Sequence, residues 1–507
     1  MNEKQYLRLC DACDQILVAS DSTIERVAIG WLHVIREHPV FLSLYHDIFK
    51  NDIELKYTAF KWIQNTKHKL VWFGNLIKVI CCDNKISVLS HELPSRIDVL
   101  FVSHLINPSL ASHTEDFYFG SLPNEMVACG RSVVVALINH TTKSSSDYND
   151  ILSNCSYPRV ILSESLRFMD EITLHRRLKI QAQMLCKKSK CPDSPFDRRI
   201  KAKASIEALT DGSHRNMRIA AEIGNLVCSL RPKAIIITYE GHAWERVVFA
   251  TVRHALPGIK CIGYQHAALF RLQHAIRRNL APEYNPDLIL TAGGVGKSEL
   301  NSAGKINGIP VLVLGSNRCI NEINSDANSD EKLVKPSPST YDVTCLVIPE
   351  GIVSECDILF EFSLSCAKIL PNILFIWRLH PIISFESLIH SNPELKNIPG
   401  NIVISGNPLE KDIACCNWAL YRGTTAIVPA VLSGLLPVYL KIPGEMTINP
   451  LYKIENSQYS VDTVNEFSEI LNADFCDLLN KKKIATNYCK DFYQSYDINV
   501  LLRAIEL

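Results

Sequence analysis

The sequence predicts an α/β fold with two separate, mainly parallel sheets. Short β-branched and apolar runs recur in two groups, and segments of helix length separate most of them. Parallel neighbours need such long connections, whereas antiparallel hairpins do not. A chain of 507 residues is also too long for one ordinary core. We therefore expect two Rossmann-like domains that face each other across a cleft, with a helical N-terminal segment and a helical insertion.

The first part of the chain, to about residue 95, is expected to be mixed and helical. Apolar positions recur at helical spacing between Thr23 and Tyr45, and Asp21 or Ser22 is a candidate N-cap. No motif in this stretch indicates chemistry.

Residues 1–320 are assigned to the first domain. A helical insertion at 169–230 follows its third strand, and the insertion is rich in lysine and arginine from Arg176 to Lys203. We interpret this charge as a solvated face, with a patch for anionic lipid or a charged glycan as the alternative. The strands are predicted at 98–102, 132–138, 159–162, 234–238, 261–264, 288–291 and 311–314.

Residues 342–507 are assigned to the second domain. The linker at 321–341 is rich in Asn, Ser, Asp, Lys and Pro and lacks apolar periodicity. Helices are expected from residue 464 to the end of the chain. The strands are predicted at 343–348, 373–379, 401–405, 418–421 and 436–440.

Polar clusters follow three strands of the second sheet. Ligands of such sheets bind beyond the carboxyl ends of the strands, so the three clusters predict one site. They are Pro349-Glu350-Gly351, Arg378-Leu379-His380-Pro381 and Tyr421-Arg422-Gly423-Thr424-Thr425.

The third cluster suits a phosphate group. Gly423 lets the backbone approach a ligand closely. Thr424 or Thr425 can cap a helix over residues 426–434, whose free N–H groups would bind an anion. Arg378 and Arg422 can add forked bonds, and His380 can donate one more. The alternative is that Thr424 only caps a buried helix and His380 is a satisfied core imidazole.

The order of these motifs resembles the C-terminal half of GT-B glycosyltransferases. It is most similar to bacterial capsule and surface-polysaccharide enzymes, including the Kdo-transferase and sialyltransferase-like groups. The likeness covers the C-terminal third well and the N-terminal half in outline. It implies that His380-Pro381 and Thr424-Thr425 bind the CMP part of a sugar donor. The implied nucleotide-sugar site comprises Glu350, Gly351, Arg378, His380, Pro381, Arg422, Gly423, Thr424 and Thr425.

The first sheet has its own polar rim, which the resemblance makes an acceptor site. Glu240 follows a strand and is a candidate general base or nucleophile. His242 and His266 are alternative bases or phosphate contacts. The alternative is that Glu245 and Arg246 form a surface ion pair, and that Glu240 only interacts with the dipole of the following helix and has no catalytic role. The motif Tyr-Glu-Gly-His-Ala-Trp-Glu-Arg followed by Gly-Tyr-Gln-His also resembles a signature of bacterial surface-carbohydrate biosynthesis proteins.

Two other kinds of site are rejected. Residues 291–298 resemble a P-loop, but Thr291 replaces its first glycine, so we expect a turn at 293–298 on the cleft rim. Cys10 and Cys13 form one C-x-x-C that no second pair completes. No Asp-x-Asp motif is present. We expect no metal site and no cofactor.

Composition sets the expected class and location. Basic and acidic residues both number 53, so charge gives no indication of nucleic acid. The 18 cysteines are expected to be reduced cytoplasmic thiols, because no leader is recognised at Met1. The longest apolar run, 70–82, is too short to span a bilayer. A peripheral place at the inner membrane stays open.

The resemblance therefore predicts a metal-independent glycosyltransferase. Its donor is expected to be a CMP-activated acidic sugar such as Kdo or a nonulosonic acid. Its acceptor is a surface glycan or a lipid-linked saccharide. The alternatives are a CDP-glycerol-type transferase, a UDP- or GDP-sugar transferase, a nucleotide-sugar epimerase of the same fold, and a noncatalytic assembly protein. Whether configuration is inverted or retained is left open.

Overall fold

The structure is a computed structural model that describes most of the chain. The described residues are 1–50, 72, 74, 87–89, 92–148, 155–304, 306, 308–319, 341, 343–380 and 382–506. Of the predicted linker only Tyr341 falls within them, and Pro381 lies outside them. The domain boundaries at 320 and 342 therefore stay a prediction.

The first sheet contains every strand predicted for it and one more at its edge. Its order is β1-β4-β3-β2-β5-β6-β7-β8, and all pairs are parallel except β1 with β4. The strands are β1 (Ser87–Leu89), β2 (Val99–Leu105), β3 (Val133–Asn139), β4 (Arg159–Ile161), β5 (Ala234–Thr238), β6 (Lys260–Gln265), β7 (Leu288–Thr291) and β8 (Val311–Val313).

The second sheet is wholly parallel. Its order is β11-β10-β9-β12-β13-β14, and β14 is the strand that sequence reasoning missed. The strands are β9 (Val343–Ile348), β10 (Ile373–Arg378), β11 (Ile402–Ser405), β12 (Trp418–Tyr421), β13 (Leu436–Leu440) and β14 (Tyr459–Val461).

Both sheets have the strand order of a Rossmann domain, which confirms the predicted fold class. In each, the chain first winds outward in one direction and then returns to wind in the other. The direction reverses between β2 and β5 in the first sheet and between β9 and β12 in the second. Such reversal points open a crevice at the carboxyl edge, which is where open α/β sheets bind ligands.

Burial on both faces explains why these runs form parallel strands. All five residues of β5 are buried. Ile235 and Ile237 pack into the core shared with the insertion and the N-terminal segment. Ile236 points to the opposite layer, which includes Phe119 and Leu501. A strand covered on both sides is continuously apolar rather than alternating, as the sequence is here.

Helices cover both sheets, and the insertion is confirmed as three of them. Among the described helices, none has both the length and the apolar content needed to cross a bilayer. The helices of the first domain are α1 (Glu3–Leu17), α2 (Ile24–Val27), α3 (Pro39–Leu42), α4 (His46–Phe49), α5 (Leu122–Ala128), α6 (Phe168–Lys188), α7 (Pro195–Glu207), α8 (Asp211–Leu230), α9 (Ala243–Ala255) and α10 (Gly294–Ser302). Those that follow are α11 (Val353–Ile369), α12 (Phe385–Ser391), α13 (Leu409–Ala414), α14 (Ile427–Leu432), α15 (Val464–Leu471), α16 (Phe475–Lys490) and α17 (Ile498–Glu506).

The helix expected between Thr23 and Tyr45 is broken into short pieces. Thr23, rather than Asp21 or Ser22, accepts the capping bond from the backbone N–H of Arg26. The side chain of Asp21 is instead ion-paired with Arg26. After α2 the chain forms a tight 3₁₀ turn, and Val34 then adopts a positive φ of 27°, which a regular helix does not allow.

The turn expected at 293–298 is wrong, because α10 begins at Gly294. A Cβ on Gly293 would lie 2.5 Å from the carbonyl oxygens of Asp491 and Phe492. The N–H of Val295 donates to the carbonyl of Asp491 at 3.0 Å. The C-terminal segment thus fills the place that a phosphate occupies in a P-loop, which supports rejecting that motif.

The C-terminal helix returns to the first sheet. The hydroxyl of Tyr496 donates to the Phe119 carbonyl at 2.9 Å, and the N–H of Asp497 to that of Leu314 at 2.8 Å. Leu501 in α17 is buried in the first domain's core. The end of the chain therefore packs against the first sheet rather than the second.

Candidate functional site

At the reversal point of the first sheet, three strand ends are linked by hydrogen bonds. His104, near the end of β2, lies with its Nδ1 2.8 Å from Nε2 of His140, which follows β3. Its Nε2 lies 2.9 Å from the hydroxyl of Thr238 at the end of β5. Sequence reasoning missed His104 and His140. Their signal was a polar residue at the very end of an otherwise apolar strand.

Burial keeps these two imidazoles neutral. It lowers the pKa of His104 well below the ordinary value, and the pKa of His140 to about 4. The nearby charge of Arg215 lowers the pKa of His140 further. Two neutral rings can share one N–H between Nδ1 and Nε2, whereas two imidazolium rings would repel each other. The pair is therefore a polar but uncharged part of the rim.

Arg215 stabilises the end of β3 through hydrogen bonds. Its guanidinium donates to both carboxylate oxygens of Glu164 at 2.6 Å and to the carbonyl of Asn139 at 3.1 Å. Glu164 adopts a positive φ of 53°, and the carboxylate of Glu222 accepts its N–H. These bonds hold the loop after β4 against the strand end that precedes His140.

Glu245 and Arg246 are buried, so the surface ion-pair interpretation is wrong. The carboxylate of Glu245 accepts the backbone N–H groups of Glu240, Gly241 and His242 at 2.7 to 3.1 Å. Arg246 donates instead to Asn285 Oδ1 and to three backbone carbonyls. Gly241 has a φ of 86°, and a Cβ there would lie 2.3 Å from the backbone of Ala275. These hydrogen bonds and this close contact fix the conformation of the loop after β5.

Glu240 and His242 form an ion pair at the end of β5. Their Oε2 and Nε2 atoms are 3.4 Å apart, and both side chains are partly exposed. Burial raises the pKa of Glu240, but the hydrogen bond from His242 and the positive charges nearby together outweigh it, and the pKa falls below the ordinary range. Burial lowers the pKa of His242, but the same bond and the charges of Glu245 and Glu240 together produce a net increase. Glu240 therefore stays ionised and accepts a proton poorly.

His266, after β6, has the opposite character. Burial lowers its pKa to about 4, so the ring is neutral at pH 7. Its ring stands edge-on to Tyr118, with centroids 4.7 Å apart. The Nδ1 atom is buried and makes no hydrogen bond within the described part of the chain. At pH 7 the ring is therefore in the proton-accepting form, and its pKa of about 4 makes it a weak base.

The segment from His33 to His38 contacts the carboxyl edges of both sheets. The ring of His33, fully buried, lies 3.3 Å from the carbonyl of Gly241 after β5. The Nε2 of His38 lies 2.9 Å from Oε1 of Glu350 after β9. We call residues 33–38 the bridging segment. No motif surrounds these histidines, so sequence reasoning missed their contacts with the two sheets.

At the reversal point of the second sheet, two glycines let polar side chains lie across the rim. A Cβ on Gly423 would lie 2.3 Å from Oε1 of Glu350. A Cβ on Gly351 would lie 2.9 Å from the ring of His380. The structure thus brings Glu350, Gly351, His380 and Gly423 together, as the sequence predicted.

Both predicted phosphate-binding arginines are engaged by carboxylates. Arg378 donates to Asp412 at 3.0 Å. Arg422 is only 3% exposed and pairs with Glu355 and Glu445, each at 2.8 Å. These pairs neutralise the guanidinium charges and hold the rim loops in place. A phosphate contact from either arginine stays a prediction that requires an ion pair to open.

The two threonines lie in a loop rather than at a long helix start. The hydroxyl of Thr424 accepts the N–H of Ala426 at 3.2 Å. α14 begins only at Ile427 and has six residues, so the helix predicted for 426–434 is shorter. Thr424 is buried and Thr425 is half-buried. Burial, and then the charge of Arg378, lower the pKa of His380, which favours a neutral ring.

Among the described residues, one group has the composition of a metal site. His38, Glu350 and Glu355 offer ligand atoms that all lie within 4.8 Å of one another. His38 is already hydrogen-bonded to Glu350, and Glu355 forms an ion pair with Arg422. All 16 cysteines in the described part of the chain are free thiols.

Comparisons with known proteins show similarity in structure only. No protein-family model matches the sequence, and no curated protein does. The glycotransferase of kitacinnamycin aligns with a TM-score of 0.45 at 10% identity, over 81% of this chain and 100% of its own. UDP-GlcNAc 2-epimerase from Neisseria meningitidis, bound to UDP-GlcNAc, gives the same values. Anabaena HepE, in complex with UDP and glucose, aligns at 0.44 and 12% identity, over 81% and 98%. At these values neither a family nor a reaction follows from the alignments.

The buried carboxylate beneath the loop after β5 predicts a pH-dependent stability. Burial raises the pKa of Glu245 from 4.5 to about 7. The folded state therefore binds this proton more tightly than the unfolded state, and stability falls as pH rises from about 4.5 to 7. Glu245→Gln should flatten the dependence of Tm on pH across this window. Glu222, whose pKa burial also raises to about 7, keeps part of the slope.

The matched control is Glu283→Gln, which changes an exposed carboxylate of the same domain and should leave the slope unchanged. A Glu245→Gln variant with the wild-type slope would show that this carboxylate does not titrate in the folded protein as its burial requires.

Proposed function

We propose that the protein is a glycosyltransferase that binds a nucleotide-activated sugar at the rim of its second sheet and an acceptor at the rim of its first. The observation that carries the proposal is the bridging segment. Because it contacts the reversal points of both Rossmann-like sheets, two ligand-binding crevices open toward one common space. A group transfer between two bound substrates needs this arrangement.

The second rim supplies the donor site. Gly351 and Gly423 let the side chains of His380 and Glu350 lie against the backbone of the rim, where they can face a nucleoside. The carboxylate of Glu350 is placed at the reversal point to accept ribose hydroxyls, as acidic residues do in Rossmann domains. A neutral His380 and the hydroxyls of Thr424 and Thr425 offer donors to phosphate oxygens. The likeness of His380-Pro381 and Thr424-Thr425 to CMP-binding motifs supports a CMP-linked acidic sugar.

The first rim supplies the acceptor site and the base. His266 takes the proton of the acceptor hydroxyl, and the freed oxygen attacks the anomeric carbon. The bond from that carbon to the donor phosphate breaks, and its electron pair leaves with the phosphate oxygen. The protonated His242 offsets the charge that develops there. The ionised Glu240 holds this proton on His242, which favours direct displacement by the acceptor over double displacement through Glu240.

Nucleotide binding tests the donor site. In a thermal-shift panel of CMP, CDP, UMP, UDP, GDP and ATP, CMP should raise the Tm of the wild type most. A ligand at about 100 times its Kd adds roughly 2.7 kcal/mol to the stability of the folded state. His380→Ala should lose this effect, while His390→Ala, which changes an exposed histidine of the same domain, should keep it.

A preference for UDP or GDP would support a glycosyltransferase with a UDP- or GDP-sugar as its donor. A preference for CDP would indicate a glycerol-phosphate type of transfer. No response to any nucleotide would refute the proposal.

Loss of the base tests the acceptor site. His266→Gln should lower the rate of donor turnover by about 10²- to 10⁴-fold without changing the nucleotide-induced shift in Tm. The wild-type rate should rise as pH passes about 4, where His266 loses its proton, and stay level toward pH 7. His254→Gln, on the exposed side of α9, is the matched control. A His266→Gln variant with normal turnover would remove this residue from the mechanism.

A further inference from the structure

Two half-buried arginines near the rim of the first sheet have no carboxylate partner. Arg36 lies in the bridging segment, and Arg318 follows β8. Within the described parts of the chain, neither has an acidic oxygen within 4.0 Å. Arg378 and Arg422 of the second rim, by contrast, are each ion-paired. The positive charge available in the cleft therefore comes from the first domain.

Aromatic rings hold the two guanidinium groups in place. Arg36 stands over the rings of Phe41 and Phe270, at 5.0 and 4.8 Å from their centroids. Arg318 lies 6.0 Å from the ring of Tyr493. Such contacts orient a guanidinium and leave the N–H groups on its outer edge for a planar oxyanion.

Both charges act on the proposed catalytic cluster. Burial raises the pKa of Glu240, and Arg36 is among the charges that lower it. Burial lowers the pKa of His266, and the charge of Arg318 lowers it further. The contacts agree with this placement. Arg36 stands over the ring of Phe270, four residues after His266. Asn317, next to Arg318, donates to the carbonyl of Phe117, whose neighbour Tyr118 stands edge-on to His266.

The cluster leaves these charges uncompensated. Glu240 and His242 neutralise each other as an ion pair. His104, His140 and His266 are neutral, as described above. Among the residues that the structure describes, two positive charges thus remain in a partly buried, polar crevice, where an anion would be bound favourably.

We propose that Arg36 and Arg318 bind a carboxylate or phosphate group of the substrate. The inference rests on the proposed function for the nature of that substrate, and it adds that the charged group is recognised by the first domain rather than by the donor rim. A carboxylate would come from an acidic sugar, and a phosphate from the donor or from a phosphorylated acceptor. In either case the transferred or accepting unit is anionic.

The test compares the binding of three anions to wild type and to the double variant Arg36→Gln, Arg318→Gln. The probes are N-acetylneuraminate, inorganic phosphate and CMP, each titrated by calorimetry. For at least one anion, the Kd should be at least about tenfold higher for the double variant than for wild type. The affinity of that anion for wild type should also fall with added salt. Loss for N-acetylneuraminate but not for its methyl ester would assign the pair to a carboxylate. Loss for phosphate or CMP would assign it to a phosphate.

Arg8→Gln is the matched control, because Arg8 also stands over a phenylalanine, at 4.2 Å from the ring of Phe196, but on the outer surface. It should bind all three anions as wild type does. Equal binding of all three by wild type and double variant, with Tm unchanged, would overturn the inference.

Failure of the inference and failure of the proposed function give different results. If His380→Ala abolishes nucleotide stabilisation while the arginine variants bind every anion normally, the donor site stands and the inference falls. If anion binding depends on the arginines but no nucleotide stabilises the protein, the inference stands and the donor site falls.

Discussion

The hydrogen bond between His38 and Glu350 joins the two halves of the molecule at the carboxyl edges of their sheets. His38 belongs to the N-terminal segment, and Glu350 follows the central strand of the second sheet. Four residues before His38, Val34 adopts a positive φ, which turns the chain from Gly241 toward Glu350. Because the strands of each sheet are parallel, their polar ends share one edge. This bond makes the two edges parts of one site.

Burial divides the histidines of that site into two kinds. Burial lowers the pKa of His266 and of the linked pair His104 and His140, and the charge of Glu240 offsets this only in part for His266 and His104. His242 pairs with Glu240, and its pKa is raised instead. The neighbouring ends of β6 and β5 thereby offer a neutral histidine, His266, and one that binds a proton more tightly, His242. A transfer reaction uses both, the first on the nucleophile and the second on the leaving group.

The sequence predicted the sheets well because buried parallel strands are short apolar runs with polar ends. It missed β1 and β14, each of which has a serine among its three residues, so that no continuous apolar run marks the strand. The second rim was found from Gly351, Gly423 and the residues beside them. His38 and Arg36 were missed because they reach the site from a distant, irregular segment, and no local periodicity marks a contact of that kind. The burial of Arg422 could not be predicted from the sequence either, since its carboxylate partners come from other elements.

Hydrogen–deuterium exchange with and without CMP tests the central claim most directly, because it reports where the ligand lies rather than whether it binds. The account predicts slower exchange at 349–352, 378–380 and 422–426, where the strands of the second sheet end, and in the bridging segment that contacts them. Protection confined to α10 and residues 291–298, or protection at neither sheet's carboxyl edge, would contradict it.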